Sequence, residues 1–494
     1  MPYRDSESLE VLIRLAGEVS TKARPTRSRF QRRLERNLLD ACRAHGLRCQ
    51  TTRQWSRLFV RSPEEAVLDV VGRVFGISSY SVIESRCDAS LPAIVELGTK
   101  LYADVVRGRS FAVRARRSGR HDFSSHDVQV ELGAALNPGA TVDLSSPDVE
   151  VRVEIRDDDV YFFGTPVRGA GGLPLGVQGK AVALISGGYD SAVAAWMALR
   201  RGVELEYVFC NLGGAAYRRL TLEVVKVLAD LWSYGTRPRL HVVEFEAVMD
   251  DFRRSVKPSY WQVTLKRLMY LAAGRVAAAT GADAIVTGEA VGQVSSQTLA
   301  NLRAIDAVSS LPVLRPLAGF DKEEIIDRAR EIGTYDLSSR VREYCAIVPE
   351  RPVTAARPEV VDAQEREIDR TVLERAVDDR QVLELRGLDM TQLVGSHLFV
   401  SDVPEDAVVI DSRDAASYLE WHWPGALHRE YEELTGAFRK LDRDRTYVLY
   451  CGEGILTAHL AERMQGRGYE AYSFRGGVRG LRRYQKARAS AGSG

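Results

Sequence analysis

The sequence predicts a multidomain protein of mixed α/β and α+β class, and three observations carry this. The chain has 494 residues, more than three times the ~150 of an average domain. Strand–helix–strand–helix alternation begins at Ala181 and again at Ala407, the pattern of parallel sheets flanked by helices. A glycine-rich stretch, Gly169-Ala-Gly-Gly-Leu-Pro-Leu-Gly176, separates the first of these from an N-terminal third of different character. With 45% hydrophobic and 27% charged residues, disordered, collagenous and membrane-spanning classes are excluded. No run approaches the roughly 18–20 apolar residues of a spanning helix. Met1-Pro2-Tyr3-Arg4-Asp5 does not open a secretory signal. The six cysteines, at 42, 49, 87, 210, 345 and 451, contain no C-x-x-C pair. They match neither a disulfide framework nor a zinc site, and a reducing cytoplasm is expected.

Each element follows in order. Val11–Leu15 reads as a strand, and a basic amphipathic helix runs from about Arg27 to His45, with Phe30, Leu34, Leu38 and Ala41 on its apolar face. Leu58-Phe-Val60 is a second strand, so domain 1–61 is a small α+β unit. Ser62-Pro-Glu-Glu is expected to open a helix, with a cap residue and early acids. Phe111–Arg116 and Val149–Ile155 are strands of domain 62–168, the second alternating as on a half-exposed sheet. Domain 169–395 holds buried-type strands at Ala181–Ile185, Glu206–Cys210, Leu240–Phe245 and Ala284–Thr287, separated by helix-length stretches. Residues 350–395 read as a charged, helical connector. Domain 400–490 contains Val408–Asp411, a helix, and Tyr447–Cys451.

A net charge of +1 hides a strong asymmetry. Residues 1–62 carry 14 Arg/Lys against 6 Asp/Glu, and residues 107–121 carry six arginines and no acid. This basic N-terminal third is the footprint of a polyanion partner.

The strand Ala181–Ile185 runs into Ser186-Gly187-Gly188-Tyr189-Asp190-Ser191, then into a helix. Two glycines let successive N–H groups of Ser186, Gly187, Gly188 and Ser191 face an anion at a helix N-terminus. The order is neither a Walker A loop nor G-x-G-x-x-G; it resembles the PP-loop of ATP pyrophosphatases. Thr287-Gly288-Glu289 ends a later strand, where open parallel sheets bind ligands, and Lys322 opens a helix, suited to phosphate.

Over nearly its whole length the chain resembles the bacterial tRNA 4-thiouridine synthases, which are tRNA uridine sulfurtransferases. The strings that carry this are Arg120-His-Asp-Phe-Ser-Ser125, Ile185–Ser191, Asn211-Leu-Gly-Gly-Ala-Ala216, Thr287–Thr298 and Glu343-Tyr-Cys345. The resemblance implies a ferredoxin-like N-terminal domain, a THUMP RNA-binding domain, a PP-loop domain and a rhodanese domain. It places ATP contacts at Leu184, Ile185, Lys266, Gly288 and Gln297. It makes Asp190 and Lys322 activation residues, and Cys345 and Cys451 a redox pair. Tyr189 stands where members often have Phe.

Cys451 ends a strand and precedes Gly452-Glu-Gly-Ile-Leu-Thr457 and a helix. A loop wrapped round a cysteine at a helix N-terminus favours thiolate, and Asp411-Ser-Arg413, Trp423–His428 and Phe474-Arg-Gly-Gly477 resemble a rhodanese domain, whose cysteine carries sulfur as a persulfide. Cys42, Cys49, Cys87 and Cys210 read as structural. Arg114, Arg116, Arg117 and Arg120 cluster on a strand and the loop after it, with His121 and Phe123 beside them as stacking groups, and form the expected RNA surface.

Together these expectations describe ATP-dependent conversion of a tRNA uridine to 4-thiouridine, at position 8 by the resemblance. The partners are tRNA, a cysteine desulfurase as sulfur donor, and Mg²⁺ with ATP. A second role is sulfur delivery to a small carrier protein of thiamine thiazole synthesis. Two readings compete: a sulfur carrier for that pathway alone, and a non-catalytic tRNA-binding protein with a decayed nucleotide site.

Overall fold

The computed structural model describes residues 8–54, 57–341, 351–388, 398–452 and 455–491. It forms two compact units. The first comprises Met1–Gln178, Leu199–Glu204 and Leu231–Thr236, and the second Gly179–Ala198, Leu205–Asp230 and Arg237–Gly494.

The first unit is built on one nine-stranded sheet. Its elements are β1 (Leu9–Leu15), α1 (Gly17–Ser20), α2 (Arg24–Ala44), β2 (Gln50–Gln54), β3 (Arg57–Ser62), α3 (Val67–Arg73) and β4 (Ile77–Asp88), followed by α4 (Leu91–Val106), β5 (Ser110–Ser118), α5 (Ser125–Leu136), β6 (Thr141–Val142), β7 (Val149–Arg156), β8 (Asp159–Phe163) and β9 (Val167–Arg168). Strand order is β2-β3-β1-β4-β8-β7-β5-β6, with β9 on β4. The long β4 joins two halves: residues up to Val82 pair with β1, and Ile83 onward pairs with β8. In α2 the expected apolar stripe of Phe30, Leu34, Leu38 and Ala41 is buried against β1 and β3. A second core, around Phe111, Val113, Val128, Leu132 and Val153, lies under α4 and α5.

Four sequence expectations for this unit are corrected. Ser62 ends β3, its hydroxyl accepting the Glu64 N–H at 3.2 Å, and the helix begins only at Val67. That helix and Tyr80 of β4 pack into the first core, beyond the residue-61 boundary. The glycine stretch from Gly169 is packed rather than loose. A Cβ at Gly169 would lie 2.5 Å from the Ile77 carbonyl oxygen, and one at Gly172 would lie 2.0 Å from that of Arg200. Glycine is there for close backbone approach. Finally, Cys42 and Cys49 form a disulfide with a Cα–Cα distance of 6.4 Å, which ties the end of α2 to the residue before β2. Their separation of 7 residues is one that a search for C-x-x-C spacing does not find.

The second unit opens with β10 (Lys180–Leu184), α6 (Tyr189–Arg200), β11 (Glu204–Asn211), α7 (Gly214–Trp232), β12 (Arg239–Glu244), α8 (Glu246–Ser255), α9 (Trp261–Thr280), β13 (Ile285–Val286), α10 (Leu299–Asp306), β14 (Val313–Leu314), α11 (Lys322–Ile332) and α12 (Tyr335–Ser338). The strands form a sheet in the order β14-β13-β10-β11-β12, parallel as expected. Residues 350–395 are more than a connector. They supply α13 (Pro358–Arg366), α14 (Arg370–Asp378) and β15 (Gln381–Glu384), and β15 extends the sheet antiparallel to β12. Arg267 of α9 is buried and pairs with Glu365 and Asp362 of α13, each at 2.5 Å, so this charged segment satisfies a buried cation.

A separate five-stranded sheet follows, from β16 (Phe399–Val400), β17 (Val408–Asp411), α15 (Ala415–Glu420), β18 (Leu427–His428), α16 (Tyr431–Ala437), β19 (Thr446–Tyr450), α17 (Ile455–Gln465), β20 (Glu470–Phe474) and α18 (Gly477–Ala491). All its pairings are parallel, in the order β16-β20-β19-β17-β18. Val448 and Leu449 of β19 fall in different apolar clusters, as alternation on a two-sided buried sheet requires.

Candidate active site

The glycine loop leaves the C-terminal end of β10, one of the central strands of its sheet. Leu184 and Ile185 form the strand's exit, with the Ile185 N–H donated to the Val208 carbonyl at 2.9 Å. Gly187 has φ +76°, and a Cβ there would press on Thr221 Oγ1 at 3.0 Å. The turn is therefore closed to other residues. Ser191 folds back, its hydroxyl accepting the Ser186 N–H at 3.2 Å and donating to the Gly188 carbonyl at 3.1 Å. Tyr217 donates to the Ser186 carbonyl at 2.9 Å. Ser186 itself is exposed.

Asp190, in the first turn of α6, is held at both oxygens. Lys322 Nζ approaches Oδ1 at 2.8 Å, and Gln293 Nε2 donates to Oδ2 at 2.9 Å. Lys322 thus meets a carboxylate as well as facing the loop, and its ammonium lies 5.6 Å from the Tyr189 ring centroid. Tyr189 stacks on Tyr335 of α12 with centroids 5.5 Å apart. Gly288 lies against this helix start: a Cβ would come within 2.5 Å of both the Asp190 carbonyl carbon and the Ser191 nitrogen. Only glycine lets the β13 exit approach the loop so closely.

Beside it, Glu289 gathers four donors. Lys266 Nζ lies 2.6 Å from Oε1, while Tyr270 Oη (2.6 Å), Arg315 Nε (2.9 Å) and Thr287 Oγ1 (3.1 Å) all donate to Oε2. Burial alone would raise this carboxyl, but the Lys266 ammonium, the Tyr270 hydroxyl and the Arg315 guanidinium outweigh it and bring it to about 2. Gln297 accepts the Ala290 N–H at 3.3 Å. Leu184, Ile185, Ser186, Gly187, Gly188, Asp190, Ser191 and Gly288 therefore lie at two neighbouring strand exits and the start of α6, with Lys322 bonded to Asp190, Lys266 to Glu289 and Gln297 to Ala290. Sequence reasoning missed Gln293, Glu289, Tyr270 and Arg315. Glutamine and tyrosine carry no spacing signal, and Glu289 was visible only as part of the Thr-Gly-Glu string.

Cys451 follows β19 and is 7% exposed. The Thr457 hydroxyl stands 3.6 Å from its sulfur, and Ser473 Oγ lies 2.8 Å from Thr457 Oγ1. Val478 donates its N–H to the Cys451 carbonyl at 3.0 Å. The neighbouring Asp411, fully buried, pairs with Arg413 at 2.6 Å, so the Asp-Ser-Arg string is a strand-end clamp. Cys345, with the Glu343-Tyr-Cys345 string, lies outside the described residues. The preceding Val341 packs at the loop, 3.3 Å from where a Gly187 Cβ would stand.

The expected RNA surface is changed in part. Arg116, Arg117 and Arg120 are exposed. Arg114 is engaged by Glu150 at 3.2 Å and by the Leu144 carbonyl at 2.6 Å. Phe123 is 6% exposed and belongs to the second core, so it offers no stacking face. His121 is tied to the Asp157 carbonyl at 2.6 Å and to Arg117 at 3.1 Å.

Four family models match the chain in order: the ThiI ferredoxin-like domain over residues 10–81, the THUMP domain over 88–163, the thiamine biosynthesis protein ThiI over 176–370, and the rhodanese-like domain over 401–483. A tRNA sulfurtransferase of Pyrobaculum aerophilum is 38% identical over 474 residues, covering 94% of this chain and 97% of that protein. One from Escherichia coli O157:H7 is 33% identical over 477 residues, covering 94% and 98%. Among solved structures, a 4-thiouridine synthetase–RNA complex with bound ATP is 32% identical with a TM-score of 0.65, covering 76% of this chain and 99% of that one. With such identity sustained from the first module to the last, this chain belongs to the tRNA sulfurtransferase family.

Proposed function

We propose that the protein is an ATP-dependent tRNA uridine 4-sulfurtransferase. The observation that carries this is the glycine loop at a parallel strand exit, with Asp190 clamped between Lys322 and Gln293, in the same chain as a rhodanese-like cysteine. The N–H groups of Gly187, Gly188 and Ser191, with the exposed Ser186 side chain, receive the ATP phosphates. Leu184, Ile185, Lys266, Gly288 and Gln297 hold the rest of the nucleotide, and Glu289 orients Lys266. Asp190 is the carboxylate at the loop that would hold Mg²⁺ beside the phosphates. The cation would neutralise phosphate charge there.

Uridine O4 attacks the α-phosphorus, pyrophosphate leaves, and Lys322 offsets the growing negative charge. The outer sulfur of a Cys451 persulfide then attacks C4, and AMP leaves. Cys345 thiolate attacks Cys451 Sγ, breaking the bond between the two sulfurs and releasing 4-thiouridine. A dithiol reductant returns the resulting Cys345–Cys451 disulfide to thiols. Thr457 Oγ1 stands where it donates to Cys451 sulfur, which stabilises thiolate. A cysteine desulfurase loads Cys451, the modified base is uridine 8, and the compartment is the cytoplasm. Arg116, Arg117 and Arg120 meet RNA phosphates, and Arg114 contributes less because Glu150 already neutralises it.

A second role rests on the family model described as a thiamine biosynthesis protein: Cys451 persulfide also charges a small thiazole-pathway carrier. Nucleoside mass spectrometry on tRNA from a deletion strain tests the main reading. 4-Thiouridine should be missing, and its persistence at wild-type level would refute the proposal.

A further inference from the structure

Helix α2 carries more positive charge than its own fold uses. Residues 24–36 hold six arginines and a single acid, Glu35. The first turn has no acid, although the N-terminal end of a helix dipole is positive and favours carboxylates. Arg29 with Arg33, and Arg32 with Arg36, stand at i,i+4, where like charges oppose helix formation. Arg33 is turned inward, donating to the carbonyls of Leu175 at 2.7 Å and Gly235 at 3.1 Å. Arg29, Arg32 and Arg36 are exposed, and none has an ion-pair partner among the described residues. Other exposed arginines of this unit are matched by acids, as Arg48 is by Glu64 at 3.0 Å and Arg107 by Asp104 at 2.7 Å; Arg116, Arg117 and Arg120 of the expected RNA surface are not, among the described residues.

Those three side chains, with Glu35 and Arg53 of β2, line a groove of about 450 Å³. Glu35 is already engaged, accepting from Thr51 at 2.8 Å and pairing with Arg53 at 2.9 Å. Four guanidiniums thus face one carboxylate in a groove whose two walls are fixed. α2 is anchored by its buried face, and β2 by its ladder to β3. Arg29 to Arg36 spans ~10 Å at ~1.5 Å per residue, an array that suits a row of phosphates rather than one small anion. Guanidinium binds phosphate oxygens through paired N–H groups, and such contacts release counterions.

We propose that this groove is an RNA-backbone site that takes phosphodiesters of the tRNA substrate, separate from the arginines of β5 and the loop after it. It rests on the tRNA reading above. The stored repulsion along α2 is relieved when the strand binds.

The test is tRNA affinity of the full chain across a salt series. R29Q/R32Q/R36Q should weaken binding 10- to 100-fold near ~0.1 M salt and lower the slope of log K against log salt by about 2. Its melting temperature should hold or rise, because like charges have been removed, and ATP affinity should stay unchanged. R29K/R32K/R36K should keep the wild-type slope. Should the triple glutamine variant melt lower, R29Q and R32Q alone should each lower the slope by ~0.7. An unchanged slope in any folded glutamine variant overturns the proposal. Wild-type protein that binds tRNA without salt dependence, or not at all, refutes the tRNA reading itself and this site with it.

Discussion

Asp190 sits where α6 begins, with a cation on one oxygen and an amide on the other. Asp190→Ala should abolish thiolation, with tRNA affinity within about twofold, since RNA binding is assigned to the first unit; lost affinity with retained turnover would reverse these roles. Gln293→Ala leaves one oxygen of Asp190 without its donor, so kcat should fall about 10- to 100-fold with little change in the KM for ATP. Added to Asp190→Ala it should cost nothing further, because coupled residues are not additive. Glu289 gives a pH signature. Its folded-state value of about 2 lies below the 4.5 of a free glutamate, so its stabilisation is complete above ~4.5 and is lost as pH falls towards 2. The contribution is on the order of 3 kcal/mol. Glu289→Gln should be less stable than wild type at pH 7, and the gap should narrow in acid denaturation curves between pH ~4.5 and ~2. A gap independent of pH would show that the four donors do not act through charge.

Among the elements, the strands with apolar runs and the amphipathic α2 were legible in the sequence because burial dictates their composition. β2, Gln-Thr-Thr-Arg-Gln, was not: it is a sheet-edge strand with no apolar residue to betray it. Gly169–Gly176 reads in sequence as a boundary between domains, although glycine also marks close packing, and sequence does not distinguish the two uses. β15 was hidden in a charged stretch, since only Leu383 of its four residues is buried and its place is set by pairing with β12. The Cys42–Cys49 disulfide closes a short loop and should contribute about 2 kcal/mol. Peptide mapping without reductant should find the bridge, and Cys49→Ser should lower stability by that amount. Equal stability of the wild type with and without reductant would contradict this. On β5, Arg116→Ala with Arg117→Ala should flatten the salt dependence of tRNA binding more than Arg114→Ala, because Arg114 already faces Glu150.

At the scale of the whole molecule, the proposed nucleotide loop and the cysteine proposed to carry sulfur were both legible, because each is a short string with a mechanical reason for its residues. Less legible was how the sites are supported: Gln293, Glu289 and Arg315 act through tertiary contacts that no local pattern encodes. The proposed chemistry links two cysteines 106 positions apart in sequence, whose Cα atoms must approach within about 7 Å for a disulfide. One turnover without reductant should therefore yield the Cys345–Cys451 disulfide, and Cys345→Ser should complete one turnover but not many. Full multiple turnover by that variant, with no disulfide in the wild type, would favour released sulfide. The most direct measurement is reconstitution of the reaction with purified protein, unmodified tRNA, ATP, cysteine and a cysteine desulfurase, followed by nucleoside mass spectrometry. The account predicts 4-thiouridine that requires ATP and disappears with Cys451→Ser. Thiolation that proceeds without ATP or without Cys451, or tRNA that stays unmodified with every component present, would contradict it.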